Sequence, residues 1–407
     1  MHNITAERVT AVRAWLEVNQ LDAVIIPHED EYLGEYVPAH NERLHWLTGF
    51  TGSAGAVVIT RENAAIFVDG RYTVQVRKQV PAELFEYRHL IEEPALDWII
   101  NSLAQGSKVA FDPRMHTAAW LKGAQAKLAD KVELTTLTAN PIDELWSDRP
   151  EPVVSDVRLM ATDAVGQSSE SKRAEIAGLL KAKGADAAIL TELDSICWLL
   201  NVRGLDVSRL PVVLSNAIIH ADESVDFFLD PARIPAGFEA HVGNGIRVSH
   251  PSELEARLYS LEGKNVSVDS GTSNAWYTLV LQNAGAHIIE AADPCLMPKA
   301  AKNATEIAGM KACHIRDGVA MAKFLSWIDA EVAQGNLHNE AVLADKVQSF
   351  REQDPTLMDL SFDTISAAGG NAAMCHYNQI RRNHPPRQQS TGWLLITPGI
   401  ESIAARS

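Results

Sequence analysis

Two short polar strings carry side chains suited to gripping a polar substrate, Asp69-Gly70-Arg71-Tyr72 and His376-Tyr377. Arginine presents a planar fork that meets carboxylates in bidentate fashion. A histidine at a strand end in an α/β domain is placed to hold a developing oxyanion. Taken alone, Arg71 reads first as one half of a surface ion pair, and His376 as a structural histidine after the strand-like run Ala372 to Cys375.

Other strings invite chemistry that their spacing does not support. His28-Glu29-Asp30-Glu31 looks like a metal cluster, but consecutive extended residues alternate faces and cannot converge on one ion. A turn after Pro27 with its polar ends in water is expected instead. Asp269-Ser270-Gly271 resembles the start of a dinuclear metal site, yet no second ligand aspartate follows it closely. It reads as a strand end and helix cap. Gly49 to Gly55 is glycine-rich but leads into no Walker lysine, so a tight turn is expected. No G-x-S-x-G elbow is present, which argues against a serine hydrolase. Cys197, Cys295, Cys313 and Cys375 form no C-x-x-C pair and are expected as reduced thiols in apolar surroundings.

The elements that must position these residues alternate between helix and strand, which makes the class α/β. An apolar stripe from Val9 to Val18 predicts a helix, followed by strands at Ala23 to Ile26, Ala56 to Thr60 and Ala64 to Val68. The order then restarts. A helix is expected from Ser169 to Lys183, stopped by Gly184, then a strand at Ala187 to Leu190 and a helix around Ile196 to Leu200. The restart comes after roughly 160 residues, far longer than the ~20–50 residues of a solenoid repeat. A whole domain is duplicated, and the Pro- and acid-rich Asp148 to Pro152 links the copies. A third segment opens near Pro298 with an amphipathic helix from Ala304 to Ala333 and another from Asn339 to Phe350. Strands are then expected at Leu360 to Ser366, Ala372 to Tyr377 and Trp393 to Ile396.

The balance of 36 Lys+Arg against 52 Asp+Glu gives a formal net charge of −16, which argues against nucleic acid or an anionic membrane as partner. No secretion signal is read at the N-terminus and no apolar run approaches the ~20 residues of a membrane span. A cytoplasmic protein is expected.

Several stretches together are similar to the cytosolic, three-domain aminopeptidase P family, the Xaa-Pro aminopeptidases. These are TGFTGSAG and VDGRYTVQ, then LPVVLSNAIIH, then PKAAKNATEIAGMKACHIRDGVAMAKFLSWID and LSFDTISAAGGNAAMCHY. The resemblance implies two creatinase-N-terminal-like α/β domains, at 1–150 and 151–298, and the start of a pita-bread α+β peptidase domain at 299–407. It implies a metallopeptidase that uses two divalent ions, usually manganese, to cut the bond between an N-terminal residue and a following proline. Its substrates would be peptides with proline at position two, and the full-length family implies a homodimer. Residue by residue, Arg71 matches the family's DGRY arginine and His376 its HY histidine, both positions that contact the peptide.

The family's metal ligands find no counterpart here. In the family, an apolar strand after the HY histidine runs into Asp-Ser-Gly, whereas Trp393 to Ile396 is followed by Thr397-Pro398-Gly399. Losing the first base of GAC TCC converts Asp-Ser to Thr-Pro, so a frameshift in the gene or its record is expected. No metal ligand is therefore assigned, no ion is expected to bind specifically, and the chain as written is expected to be inactive and truncated within the peptidase domain. The alternative reading is a non-catalytic peptide-binding or oligomerisation fragment.

Overall fold

Strands whose side chains are buried on both faces read as nearly continuous apolar runs. Ala23–Pro27, Ala64–Val68 and Ala187–Leu190 are of this kind, with every residue buried. They are central strands of the two sheets found in the computed structural model, which describes residues 2–374, 376–377, 393–396 and 400–401.

The chain divides into two units, the first comprising residues 1–158 and 169–297, the second 159–168 and 298–407. The first opens with α1 (His2–Val18), β1 (Ala23–Pro27), α2 (Arg43–Thr48), β2 (Ala56–Thr60), β3 (Ala64–Val68) and α3 (Thr73–Gln79). It continues through β4 (Glu86–His89), α4 (Ala95–Ser102), β5 (Ser107–Phe111), α5 (Ala118–Leu128), β6 (Val132–Thr136) and α6 (Pro141–Leu145). After β7 (Arg158–Leu159) and α7 (Thr162–Val165) come α8 (Ser169–Ala182), β8 (Ala187–Leu190), α9 (Leu193–Leu200), β9 (Val202–Arg203) and β10 (Asn216–His220). Then follow β11 (Val225–Phe228), α10 (Phe238–Val242), β12 (Ile246–Ser249), α11 (Leu254–Tyr259), β13 (Asn265–Val268), α12 (Ala275–Ala284) and β14 (His287–Glu290).

The two six-stranded sheets have orders β4-β3-β2-β1-β5-β6 and β12-β11-β10-β8-β13-β14. Position for position these are one topology. In each, the first strand pairs antiparallel with the hairpin strand on one side (Ile25 opposite Val58, Ile189 opposite Ile218) and parallel with the crossover strand on the other. The expected duplication is a duplication of fold. Strand alternation sends Val24 and Ile26 to one face of the first sheet, with Leu16 and Leu47, and Ala23 and Ile25 to the other, with Ile99 and Leu128.

The copies meet by a reciprocal exchange at two helix starts. Ala118 N–H donates to Ser273 O (3.1 Å) and Ala275 N–H to His116 O (2.7 Å); Ala119 N–H donates to Ser270 O (2.8 Å) and Trp276 N–H to Pro113 O (3.1 Å). Each bond has its mirror image, as in an isologous dimer contact, and each satisfies an N–H that a helix start leaves unpaired.

The second unit contains α13 (Leu296–Ala300) from Pro298 onward, then α14 (Ala304–Ala333), α15 (Glu340–Arg351), β15 (Asp359–Leu360), β16 (Ile365–Ala368), β17 (Trp393–Ile396) and β18 (Ile400–Glu401). Helices α14 and α15 pack through Phe324, Leu343 and Val347. β17 pairs antiparallel with β16, Ile365 opposite Ile396.

Two strand expectations need correction here. The single strand from Leu360 to Ser366 is two short strands, β15 and β16. The strand expected from Ala372 to Tyr377 is instead a 3-10 turn at Gly369–Ala373, with His376 in a following turn. The cause is Glu340, whose carboxylate accepts from Ala368 N–H (2.6 Å), Asn371 Nδ2 (3.1 Å) and the Tyr377 hydroxyl (2.8 Å). These bonds curl the chain around the first turn of α15. Cys375 lies outside the described residues, while Cys197, Cys295 and Cys313 are buried and form no disulfide.

Candidate functional site

At the end of β3 the chain turns through Asp69-Gly70 and presents Arg71 before Tyr72 caps α3. The Asp69 carboxylate organises the turn. Its Oδ1 accepts from the Arg71 backbone N–H (2.9 Å) and from Nε (3.1 Å), and its Oδ2 accepts from the guanidinium at 2.7 Å. The hydrogen bond to Asp69 is the chief reason the Arg71 pKa is raised. The guanidinium also lies 5.1 Å from the Tyr72 ring centre, yet its side chain stays 39% exposed, so this cation faces solvent.

Behind it sits the glycine-rich loop. Ser53 N–H donates to the Tyr72 hydroxyl (3.0 Å), Thr51 N–H donates to Gln79 Oε1 (3.0 Å), and Phe50 meets Tyr72 edge to face. The segments TGFTGSAG and VDGRYTVQ are thus one packed unit that holds Arg71 in place. Gly49, at φ +78, closes α2 in the left-handed region. A Cβ at Gly52 would lie 2.2 Å from the Phe50 ring and 2.9 Å from that of Tyr72. Gly52→Ala should therefore cost about 1–3 kcal/mol by overpacking and disturb the Arg71 turn, checked by thermal melting; an unchanged melting temperature would contradict this packing.

His376 lies in the second unit, exposed in its turn. The adjacent Tyr377 is buried and tied into the Glu340 network, to which Asn371 also contributes through a 3.2 Å bond to the Tyr377 hydroxyl. Sequence reasoning found the His-Tyr pair but missed Glu340 and Asn371. Their signal is faint, an acidic residue at a helix start and an Asn in a Gly-rich run.

The remaining strings resolve as structure. Asp269 ends its strand in a turn as expected, accepting from Gly271 N–H and Asp293 N–H, each at 2.9 Å, but it caps no helix, since the residue before α12 is Asn274. Its counterpart in the first copy is Asp112, which accepts from Arg114 N–H at 3.0 Å. In the His28–Glu31 string the expected solvation is wrong for Asp30, and Glu31 is half-buried in an ion pair. Asp30 is 1% exposed and accepts from Asn41 Nδ2 (2.9 Å) and Tyr32 N–H (3.0 Å), and Glu31 pairs with buried Arg43. Burial first, and Glu31 second, push the Asp30 pKa up to about 6.

Arg43 bridges Glu31 (2.5 Å) and Asp143 (2.7 Å), and Arg149 joins Asp143 at 3.0 Å. The four line a cleft of about 330 Å³ and neutralise one another. Arg43 and Asp143 are too far apart in sequence to leave a local signature.

Among the described residues no group of three or more His, Cys, Asp or Glu side chains converges to hold a metal ion. No chemical step is drawn through the two-ion centre that the resemblance implies. No helix among the described residues is long and apolar enough to cross a membrane.

Comparison with known proteins agrees with the fold and with the packed signatures. Residues 8–145 and again 148–306 match the Creatinase/Prolidase N-terminal domain, and 308–399 match Metallopeptidase family M24. The chain is 32% identical over 388 residues to Xaa-Pro aminopeptidase 1 of Dictyostelium discoideum, covering 91% of this chain and 61% of that protein. It is 34% identical over 370 residues to Xaa-Pro aminopeptidase ApepP of Drosophila melanogaster, covering 88% and 59%. Its fold is similar to the crystal structure of X-prolyl aminopeptidase from Caenorhabditis elegans, described as a cytosolic enzyme with a di-nuclear active site. That match has a TM-score of 0.86 at 27% identity and covers 92% of this chain and 64% of that one. The chain spans about three fifths of the length of the curated relatives it matches. With two creatinase/prolidase N-terminal domains leading into an M24 segment, and similarity along nearly its whole length, the chain belongs to the Xaa-Pro aminopeptidase family.

Proposed function

We propose that this chain serves Xaa-Pro aminopeptidase chemistry by receiving peptides with proline at position two, with Arg71 and His376 as its peptide-contacting residues. The observation that carries this reading is the solvent-facing Arg71 guanidinium, braced by Asp69 and by the packed glycine-rich loop. A braced cation that faces solvent beside its Asp69 partner suits a carboxylate or carbonyl of a bound peptide. Proline offers no amide N–H, so recognition has to come from such contacts and from shape.

The domain boundaries that go with this reading lie near residues 150 and 298, and the protein acts in the cytoplasm as a homodimer. Two divalent ions, manganese by resemblance, would supply the activated water in the family's hydrolysis. The 407 residues by themselves are proposed to bind such a peptide without hydrolysing it.

Calorimetric titration with an X-Pro tripeptide tests the binding half. Arg71→Ala should weaken binding by about tenfold, the usual worth of one charge-assisted contact, while leaving the melting temperature within a degree or two. Equal affinity of Arg71→Ala and the unaltered chain would remove Arg71 from the site. Release of the first residue by the purified 407-residue chain with added Mn²⁺, absent from a mock purification, would overturn the second half.

A further inference from the structure

Residues 159–168 sit between the linker and the first helix of the second α/β domain, yet they pack with the unit that begins at Pro298. Their two apolar anchors, Met160 and Val165, are 5% and 2% exposed. The contact is made at the start of α14. Asn303 caps that helix, its Oδ1 accepting from Glu306 N–H (3.0 Å), while the Glu306 carboxylate accepts from Asn303 N–H (2.8 Å). The same Asn303 side chain has a second bond, Nδ2 donating to the Val165 carbonyl at 2.8 Å. Val165 O belongs to the last turn of α7, so an orphan carbonyl of one helix and an orphan N–H of another are satisfied by a single amide.

Gly166 completes the joint. It lies at φ +74, and a Cβ there would come 2.6 Å from Asn303 Oδ1 and 2.9 Å from Thr305. Both the backbone conformation and the close approach call for glycine.

We propose that Leu159–Ser168 is a strap, a segment that precedes the second α/β domain in sequence but docks on α14 within the second unit and holds the start of that helix in place through Asn303 and Gly166. Its partner is the N-terminal turn of α14 in the same chain. The strap acts as a positioning device, and it stands independently of any reading of the chain's activity.

Hydrogen exchange on the full chain tests it, with variants that separate capping from docking. Asn303→Ser retains a good cap acceptor and adds no charge, but lacks the Nδ2 donor that Val165 O requires. The expected result is about tenfold faster exchange of the amides in the first turns of α14 and in residues 160–167 together, since one shared bond loosens both partners. Asn339 is the built-in control. It caps α15 by accepting from Val342 N–H at 2.9 Å, so Asn339→Ser should change exchange by about twofold or less. Gly166→Ala should reproduce the Asn303→Ser pattern by a different route. If Asn303→Ser and Asn339→Ser behave alike, or if α14 loosens while residues 160–167 do not, the strap is overturned. Should Gly166→Ala fail to fold, the two serine variants still decide the matter.

Discussion

Arg43→Met should destabilise the first unit by about 2–4 kcal/mol. Arg43 is 2% exposed and carries two carboxylates at once. Burial alone would lower its pKa, but the bonds to Asp143 and Glu31 outweigh burial and raise it. Removing one partner of a buried pair costs ~3–5 kcal/mol because the other is left uncompensated. Glu31 and Asp143 keep side-chain exposures of 32% and 30%, and water there softens the loss. The same reasoning gives a second arm. Arg43→Met combined with Glu31→Gln and Asp143→Asn removes the stranded charges and should recover at least half of the lost stability. Exchange of the β1 and β5 amides reports this unit alone, which matters because a two-unit chain need not unfold in one step. A loss under ~1 kcal/mol for Arg43→Met would mean the network contributes no more than an ordinary surface pair.

His116→Phe should make the chain progressively more acid-resistant than its parent. His116 lies 5% exposed at the contact between the two copies, stacked on Trp120 at 3.8 Å, with Nε2 buried and without a hydrogen-bond partner. Burial pushes its pKa down to about 3. A group depressed on folding contributes stability that is complete above its unfolded pKa and is lost as the pH falls. For His116 the window runs from about pH 6.5 down to about 3. The unfolded chain takes up the proton there and the folded chain does not. Phenylalanine keeps the stacking on Trp120 and leaves the backbone carbonyl free to accept from Ala275, but it carries no proton. The stability of the variant relative to the parent should therefore rise by ~1.4 kcal/mol for each pH unit of acidification within that window.

Asp30 works in the opposite sense. Its folded pKa is raised to about 6, so its contribution is present at low pH and is lost as the pH rises toward 6. Between about pH 4 and 6 the two groups offset each other in the parent chain, and His116→Phe leaves Asp30 unopposed. The stability of the variant should therefore rise less steeply with pH across that range than that of the parent. Parallel pH profiles for parent and variant, measured by urea unfolding, would show that His116 takes up its proton as readily in the folded chain as in the unfolded one.

These two cases mark where sequence reading ends. Periodicity and punctuation are local, and the elements they specify came out near their expected ends. The helix from Ala304 to Ala333 runs over that span, and Gly184 stops α8 at φ +68. The duplication was legible because each copy repeats the same order of apolar runs and turns, and order along a chain is a property of sequence. The glycine-rich loop and the DGRY turn were legible as motifs, although sequence alone made Arg71 a surface ion pair. That pairing with Asp69 is present, and the bracing that could make it useful comes from Tyr72 and Ser53.

Tertiary structure decided what depends on distant partners. Asp30 is buried because Asn41 and the Tyr32 amide satisfy it, and Glu31 is half-buried because Arg43 reaches back to it. A string of charges cannot announce such partners, and water is its default neighbour. The turn at His376 was misread as a strand because small apolar residues suit either conformation, and the deciding carboxylate, Glu340, stands on another element. The strap at Leu159–Ser168 was invisible for the same reason. Its sequence sets a short helix and a glycine, and only the folded chain brings Asn303 against Val165. Sequence by itself determined most of the helices and strands and that one domain was copied, because these follow from nearest neighbours and repetition. Which polar groups are buried, paired or displayed was decided by the fold, because the energy of a buried charge is set by whatever lies across from it.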